Sequence, residues 1–250
     1  MKRRTIKLIL LAVILMGVAN LLAIDAGEYE GKVDYVKMFN SGGAFSFMIV
    51  GLLVIMLVIS GIKFWELNIK EKIDAKGFYL KLKGYIKNNQ TEEAARVCAQ
   101  FKDTTMGFIF WNGLMNFNDA KKAGKRGREL KDAVQRAFDE ASLQTIHRLE
   151  SKLFWLDIIA QVSTLMGLLG TIFGLVSSFD AVANAPDSIK NSLLSDGIAM
   201  AMGTTAMGLI VAIPTMFIKG MLNDKAEKIV NNIDEYSVKV INQIDNIIED

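Results

Sequence analysis

The chain has 250 residues, of which 51% are hydrophobic and 22% are charged, with 29 Lys and Arg against 27 Asp and Glu. A charged share below the ~25% of soluble domains, together with two prolines in the whole chain, favours long membrane helices over a turn-rich β protein. One cysteine excludes an internal disulfide, and one cysteine with one histidine cannot build a zinc site of the usual four-ligand kind. A net charge of +2 gives no support for nucleic-acid binding.

The first segment, residues 1–24, starts with Met-Lys-Arg-Arg and continues as a short apolar run. A basic start before such a run is typical of a secretory signal peptide or of an uncleaved signal anchor. No good small-x-small cleavage site follows, so both interpretations stay open. Either one would deliver residues 25–43 to the periplasmic side of the membrane.

Three later runs contain no Asp, Glu, Lys, Arg or His: residues 44–62, 158–179 and 197–218. About 20 helical residues, each rising ~1.5 Å, cross the ~30 Å hydrocarbon core of a bilayer. Because every backbone polar group must be paired within a segment that lies in lipid, each run is predicted to be a transmembrane helix. The predicted fold is an all-α integral membrane protein with three transmembrane helices besides the N-terminal signal peptide or anchor.

The distribution of basic residues predicts the orientation of these spans. Lysines crowd the exit of the first span and follow the last, whereas residues 180–196 carry one Lys and three Asp. Residues 63–157 are therefore predicted to form a cytoplasmic helical domain, and residues 180–196 a periplasmic hairpin. Residues 219–250 would be a cytoplasmic C-terminal helix.

Within the predicted cytoplasmic domain, Thr91 is expected to cap a helix, and Glu129–Lys152 reads as a long helix that runs on into the second span. Residues 116–127, with four basic residues beside two glycines, are predicted to be a solvated loop. In the tail, apolar residues recur every three or four positions, which predicts a continuation of the last membrane helix with one side buried against other helices.

The second and third spans carry stripes of small and hydroxyl residues at spacings of three and four. Such stripes let helices approach closely, and in an oligomer they could also line a narrow polar passage. Periodicity alone favours packing and leaves the passage open. The residues of the second span are Gly167, Gly170, Thr171, Gly174 and Ser178, with Ser163 one turn below. Those of the third are Ala201, Thr205, Gly208 and Ala212, with Thr204 alongside.

Two motifs make the sequence recognisable. The run Gly-Leu-Leu-Gly-Thr-Ile-Phe-Gly at residues 167–174 resembles the second-span motif of the ExbB/TolQ/MotA proton-channel family. The run at residues 197–218, with its Ala-Ile-Pro ending at Pro214, resembles the third-span motif. The two lie about 30 residues apart across a short hairpin, as in ExbB and TolQ, which the chain resembles most. The resemblance covers roughly residues 153–220.

The resemblance implies a homopentamer in the bacterial inner (cytoplasmic) membrane, surrounding a pore that holds a single-span ExbD/TolR-like partner. Proton flow would energise transport or an envelope process through a TonB/TolA-like protein. In this family the titrating carboxylate belongs to the partner, while threonines of the pore subunit flank the path; by motif position these are Thr171 and Thr205. Pro214 is interpreted as a kink that adjusts helix packing. The chain is predicted to be no enzyme and to need no cofactor or metal.

One position departs from the family pattern, because Met200 stands where many ExbB and TolQ proteins have Glu. No carboxylate then lies within either pore span except Asp157, at the cytoplasmic boundary of the second, which either titrates or is an interfacial, hydrated residue. Asp157, Thr204 and Ser163 are possible accessory residues of the path. Two other functions stay open: a MotA-like flagellar or gliding stator subunit, and a non-conducting membrane scaffold.

Overall fold

The computed structural model describes residues 43–249, so the predictions for residues 1–24 and 25–42 lie outside the described residues. The described chain is helical and contains no strand in that range. Its helices are α1 (Gly43–Trp65), a π-helical segment (Glu66–Lys70), α2 (Ala75–Lys87), α3 (Thr91–Ala99), α4 (Thr105–Lys122), α5 (Gly127–Glu150), α6 (Leu153–Ala183) and α7 (Asp187–Glu249). The all-α prediction is confirmed.

Three helical stretches are long and apolar enough to cross a membrane, and they contain α1, α6 and α7. This confirms the prediction of three spans. Within the predicted hairpin at residues 180–196, residues 184–186 lie outside the helices and the other residues are helical. Helix α7 continues for 63 residues through Pro214, and α5 and α6 are separated by the two residues 151 and 152.

The predicted solvated loop at residues 116–127 is wrong over most of its length, because α4 continues to Lys122. The basic residues that suggested a loop are exposed, but Phe117 and Ala120 on the opposite face are buried in the core. The turn is confined to residues 123–126 and contains Gly124, whose φ of +81° is one that glycine adopts without strain. Thr91 is the first residue of α3 instead of its cap, and its hydroxyl donates to Asn118 Oδ1 at 2.6 Å.

The described chain divides into two compact units. The span unit comprises residues 43–54 and 159–216, and the bundle unit comprises residues 55–158 and 217–249.

The bundle unit is built around large apolar side chains from α2, α3, α4, α5 and the C-terminal part of α7. The rings of Phe78 and Phe110 stack at 5.8 Å, and Phe110 meets Phe138 at the same distance. Cys98 is fully buried in this core, and burial raises the pKa of its thiol to about 12. The thiol is therefore almost entirely protonated at neutral pH and inert as a nucleophile.

The buried ammonium of Lys63 binds the C-terminal end of α5, next to the break between α5 and α6 in the bundle unit. Lys63, near the end of α1, is fully buried, and its ammonium donates to the carbonyls of Arg148 and Leu149 at 3.0 Å each. These carbonyls belong to the last turn of α5, where the helix leaves its acceptors free. Glu66 Oε2 lies 3.2 Å from the same ammonium, so the charge is paired as well as hydrogen-bonded.

Candidate functional site

Glycines bring α6 and α7 into backbone contact in the span unit. A Cβ atom on Gly167 would lie 3.0 Å from the Thr204 carbonyl oxygen and 3.1 Å from the Thr205 Cα. A Cβ on Gly208 would lie 2.5 Å from the Ser163 carbonyl oxygen. Distances this short leave no room for a side chain, so the helices approach as closely as their backbones allow.

The same contact continues toward the α6–α7 turn. A Cβ on Gly170 would lie 2.7 Å from Thr204 Oγ1, and one on Gly174 would lie 3.0 Å from the Ala201 Cβ. Ser178 is buried, and its hydroxyl donates to the Gly174 carbonyl at 2.7 Å. Four of the predicted packing residues, Gly170, Gly174, Ser178 and Ala201, therefore lie in one seam.

Threonine hydroxyls converge on one carbonyl in the middle of this seam. Thr205 Oγ1 donates to the Gly167 oxygen at 3.1 Å, and Thr204 Oγ1 lies 3.3 Å from the same oxygen and 2.7 Å from the Ala201 oxygen. One turn further along α6, the hydroxyl of Thr171 donates to the Leu168 carbonyl at 2.6 Å. Hydroxyls that bond to carbonyls in this way keep their lone pairs available as acceptors.

The three threonines differ in exposure. Thr204 is 2% exposed and lies inside the helix contact, whereas Thr171 and Thr205 are half-buried. The 100° rotation that separates Thr204 from Thr205 along α7 points Thr204 into the seam, so Thr204 packs against α6. Thr171 and Thr205 therefore keep part of their side-chain surface accessible from outside the span unit.

The remaining predicted residues of the span unit are also accounted for. Ser163 is fully buried, and its hydroxyl has no hydrogen-bond partner in the described chain. Ala212 is buried, whereas Pro214 is exposed on the outside of α7. The helix continues through Pro214 although proline lacks the N–H of a normal helical residue. Among the described residues, no group of His, Cys, Asp or Glu could hold a metal ion.

A comparison with known protein families identifies the family of this chain. Residues 102–235, just over half of the chain, match the MotA/TolQ/ExbB proton channel family. The chain belongs to this family. The matched region contains all of α5 and α6, and it contains α7 as far as residue 235. It therefore includes every seam residue named above.

Curated relatives support the same assignment. The chain is 44% identical over 70 residues to biopolymer transport protein exbB1 of Vibrio cholerae, covering 28% of the chain and 31% of that protein. It is 26% identical over 199 residues to an ExbB homolog of Methanothermobacter thermautotrophicus, covering 78% and 66%. It is 31% identical over 134 residues to Tol-Pal system protein TolQ of Haemophilus influenzae, covering 52% and 58%. The chain thus spans less than two thirds of the length of these relatives.

The second and third apolar spans of this MotA/TolQ/ExbB family member carry no acidic side chain, since residues 158–179 and 197–218 contain none. Asp157, which belongs to the bundle unit, forms an ion pair with Lys219 at 3.0 Å. Its charge is therefore matched by a lysine of the same unit. Met200 is half-buried on α7.

Two buried residues of the span unit were missed by the sequence analysis. A Cβ on Gly197 would lie 1.6 Å from Ser178 Oγ, so Gly197 extends the seam by one turn; its spacing of four residues from Ala201 already fits the stripe. Ser46 of α1 is fully buried, and its hydroxyl donates to Met207 Sδ at 3.7 Å. An isolated polar residue within an apolar run was the available signal for it.

Proposed function

We propose that this chain is the pore-forming subunit of an inner-membrane motor driven by the proton-motive force. Five copies would surround the pore, and an ExbD/TolR-like single-span protein would occupy it and carry the titrating carboxylate. The motor would energise biopolymer transport or an envelope process through a TonB/TolA-like protein. Membership of a proton channel family supports a role of this chain in a proton-driven membrane complex.

The observation that carries the proposal is the group of hydroxyls around Gly167. Thr205 reaches the Gly167 carbonyl and Thr171 lies one turn above it, both half-buried, in two spans without any acidic residue. An intramembrane carboxylate is costly unless it is neutralised or hydrogen-bonded. A hydroxyl suits both states of the acid, because it accepts from the protonated carboxyl while bonded to a helix carbonyl and can rotate to donate to the ionised carboxylate.

The absence of an acidic residue at position 200 makes this chain depend on the acid of its partner. We propose that Thr171 and Thr205 face that acid and that Thr204 holds α6 against α7 behind them. Residues 63–157 and the tail from 219 would then lie in the cytoplasm, and the short α6–α7 turn in the periplasm, as the excess of lysines in the former segments supports.

The test is proton uptake by liposomes that contain the chain co-purified with an ExbD/TolR-like single-span protein. Replacing Thr171 or Thr205 by Val keeps the side-chain volume and removes one hydrogen-bond partner, at a cost of roughly 1–3 kcal/mol in a medium of low polarity. Because ~1.4 kcal/mol corresponds to a factor of ten, we expect partner-dependent proton uptake to fall about tenfold or more.

Thr164→Val is the matched control, because Thr164 also lies on α6 and its hydroxyl bonds only to the Ala160 carbonyl of its own helix, at 3.0 Å. This variant should conduct as the unmodified chain does. Native mass spectrometry of each sample checks that the pentamer is intact. Unchanged uptake by both Thr171→Val and Thr205→Val would refute the assignment of these residues, and uptake that needs no partner carboxylate would refute the pairing.

A further inference from the structure

Three large aromatic side chains of the bundle unit are exposed where the apolar spans begin and end. Trp65, the last residue of α1, is 57% exposed; Phe154 and Trp155, at the start of α6, are 63% and 55% exposed. The rings of Phe154 and Trp155 lie 6.4 Å apart. We call these three residues the aromatic collar. So large an exposed apolar surface marks a site of interaction, because water is a poor solvent for it.

Polar contacts hold the end of α1, with Trp65, beside the start of α6, with Phe154 and Trp155. The ammonium of Lys63, two residues before Trp65, bonds to the carbonyls of Arg148 and Leu149. The carboxylate of Glu66, directly after Trp65, lies 3.8 Å from the ammonium of Lys152, which precedes Phe154 by two residues. The end of α1 and the start of α6 are therefore clamped side by side.

The surroundings of the collar are basic. Residues 63–70 and 148–157, together with Lys219, contain five Lys or Arg against three acidic residues. Two of the acids are engaged within the chain, since Glu66 pairs with Lys63 and Asp157 pairs with Lys219. Glu150 is exposed, as are Lys70 and Arg148, and Lys152 keeps half of its side chain in contact with the surroundings. The accessible charge beside the collar is thus positive.

We propose that the aromatic collar and the adjacent Lys70, Arg148 and Lys152 bind anionic phospholipid headgroups. Indole rings favour the layer between headgroups and hydrocarbon, because their apolar body and polar N–H suit both sides of it. Basic residues just outside this layer attract acidic lipids. The proposal rests on membrane insertion of the chain and is independent of proton conduction, so either can fail without the other.

The experiment is tryptophan fluorescence quenching by brominated phospholipids in liposomes that contain the full chain. The chain has three tryptophans, Trp65, Trp111 and Trp155, so replacing two of them by Phe isolates the third. Trp111, in α4 of the bundle unit, is partly buried against the core and is the internal control. We expect Trp65 and Trp155 to be quenched more by bromines near the lipid carbonyls than by bromines near the methyl ends, and Trp111 to be quenched by neither.

The charge of the lipid is tested with the same variants. At equal mole fraction, brominated phosphatidylglycerol should quench Trp155 about twofold or more beyond brominated phosphatidylcholine, because basic residues enrich acidic lipid around them. Lys152→Gln should reduce this difference. Lys122→Gln, which changes an exposed lysine of α4 that pairs with Glu92 at 2.9 Å, should leave it unchanged.

Two results would overturn the proposal. If Trp65 and Trp155 are as insensitive to brominated lipid as Trp111, protein covers the collar, as a second copy of the chain would. If both lipids quench equally and Lys152→Gln changes nothing, the collar is a neutral membrane anchor without preference for acidic headgroups.

Discussion

The two units of the molecule are packed by opposite means. The bundle unit fills its interior with large side chains such as Phe110, Phe117 and Phe138, all of them fully buried. The span unit brings α6 and α7 together through glycines whose missing side chains let backbone meet backbone. In water, large apolar side chains supply the driving force by leaving the solvent. In lipid that force is absent, and close contact with hydrogen bonding takes its place.

This comparison predicts opposite sensitivities, and enlarging the seam should have the largest effect. Gly167→Leu would push a branched side chain against the backbone of Thr204 and Thr205, which cannot move aside without separating the helices. We expect no folded protein in detergent, as measured by size-exclusion chromatography. Gly51→Leu is the control, because nothing lies within 4 Å of a Cβ built there. A stable Gly167→Leu variant would mean that α6 and α7 do not pack as described.

In the bundle unit, removing volume should do the damage. Phe138 packs against Phe110 and over Gly113, and Phe138→Ala should lower the free energy of unfolding of the bundle by roughly 3–5 kcal/mol through the cavity it leaves. Labelling of the buried Cys98 by a maleimide reports how often the bundle opens. Leu143→Ala is the control, because the side chain of Leu143 is 78% exposed. Cys98 in this variant should be labelled as slowly as in the unmodified chain. If Phe138→Ala labels no faster, Phe138 is not part of the core.

The buried thiol also makes the stability of the bundle depend on pH. Burial raises the pKa of Cys98 from its ordinary value near 9 to about 12. Its contribution to stability is therefore complete below pH 9 and is lost as the pH rises toward 12, by at most ~1.4 kcal/mol per pH unit. Denaturant unfolding across this range, compared with Cys98→Ala, isolates the effect from that of other groups. Parallel pH profiles of the two chains would contradict the burial of the thiol.

The smallest effect should come from a single hydroxyl in the seam. Thr204→Val preserves the volume but removes the contacts with the Gly167 and Ala201 carbonyls. Hydrogen bonds between membrane helices contribute about 0.6 kcal/mol on average and up to ~1.7. We expect a loss of about 1 kcal/mol in the unfolding free energy of the detergent-solubilised protein, against no change for Thr164→Val. A loss as large as that of Gly167→Leu would show that hydrogen bonding, not close approach, holds the seam.

The sequence was sufficient for features that depend on local pattern. Runs without charged residues predicted the spans, and spacings of three and four predicted a stripe of small residues on each of α6 and α7. The pattern placed Thr205 in the stripe of the third span and Thr204 alongside it, whereas the pairing of α6 with α7 buries Thr204 more deeply than Thr205. It also predicted a loop at residues 116–122, since their lysines are conspicuous while the buried Phe117 and Ala120 form too short an apolar pattern to indicate the end of α4.

Contacts between distant segments were beyond the reach of the sequence. Lys63 was read as one of several lysines that mark the cytoplasmic side of a span, yet its ammonium is buried against the carbonyls of Arg148 and Leu149. Nothing within the neighbouring residues distinguishes it from Lys70, which is exposed. The apolar composition of the first span likewise does not mark a buried side, whereas Ser46, Ile49 and Met56 are buried.

The backbone contact at Gly167 also constrains how the gene can drift. Every amino acid other than glycine carries a Cβ atom, so no substitution at this position preserves the space. The first carbon of any replacement would already lie within 3.2 Å of three backbone atoms of α7. A side chain at position 167 could be accommodated only after a compensating change in α7. We therefore expect this glycine to persist in descendants of the gene even where the lipid-facing residues around it exchange freely.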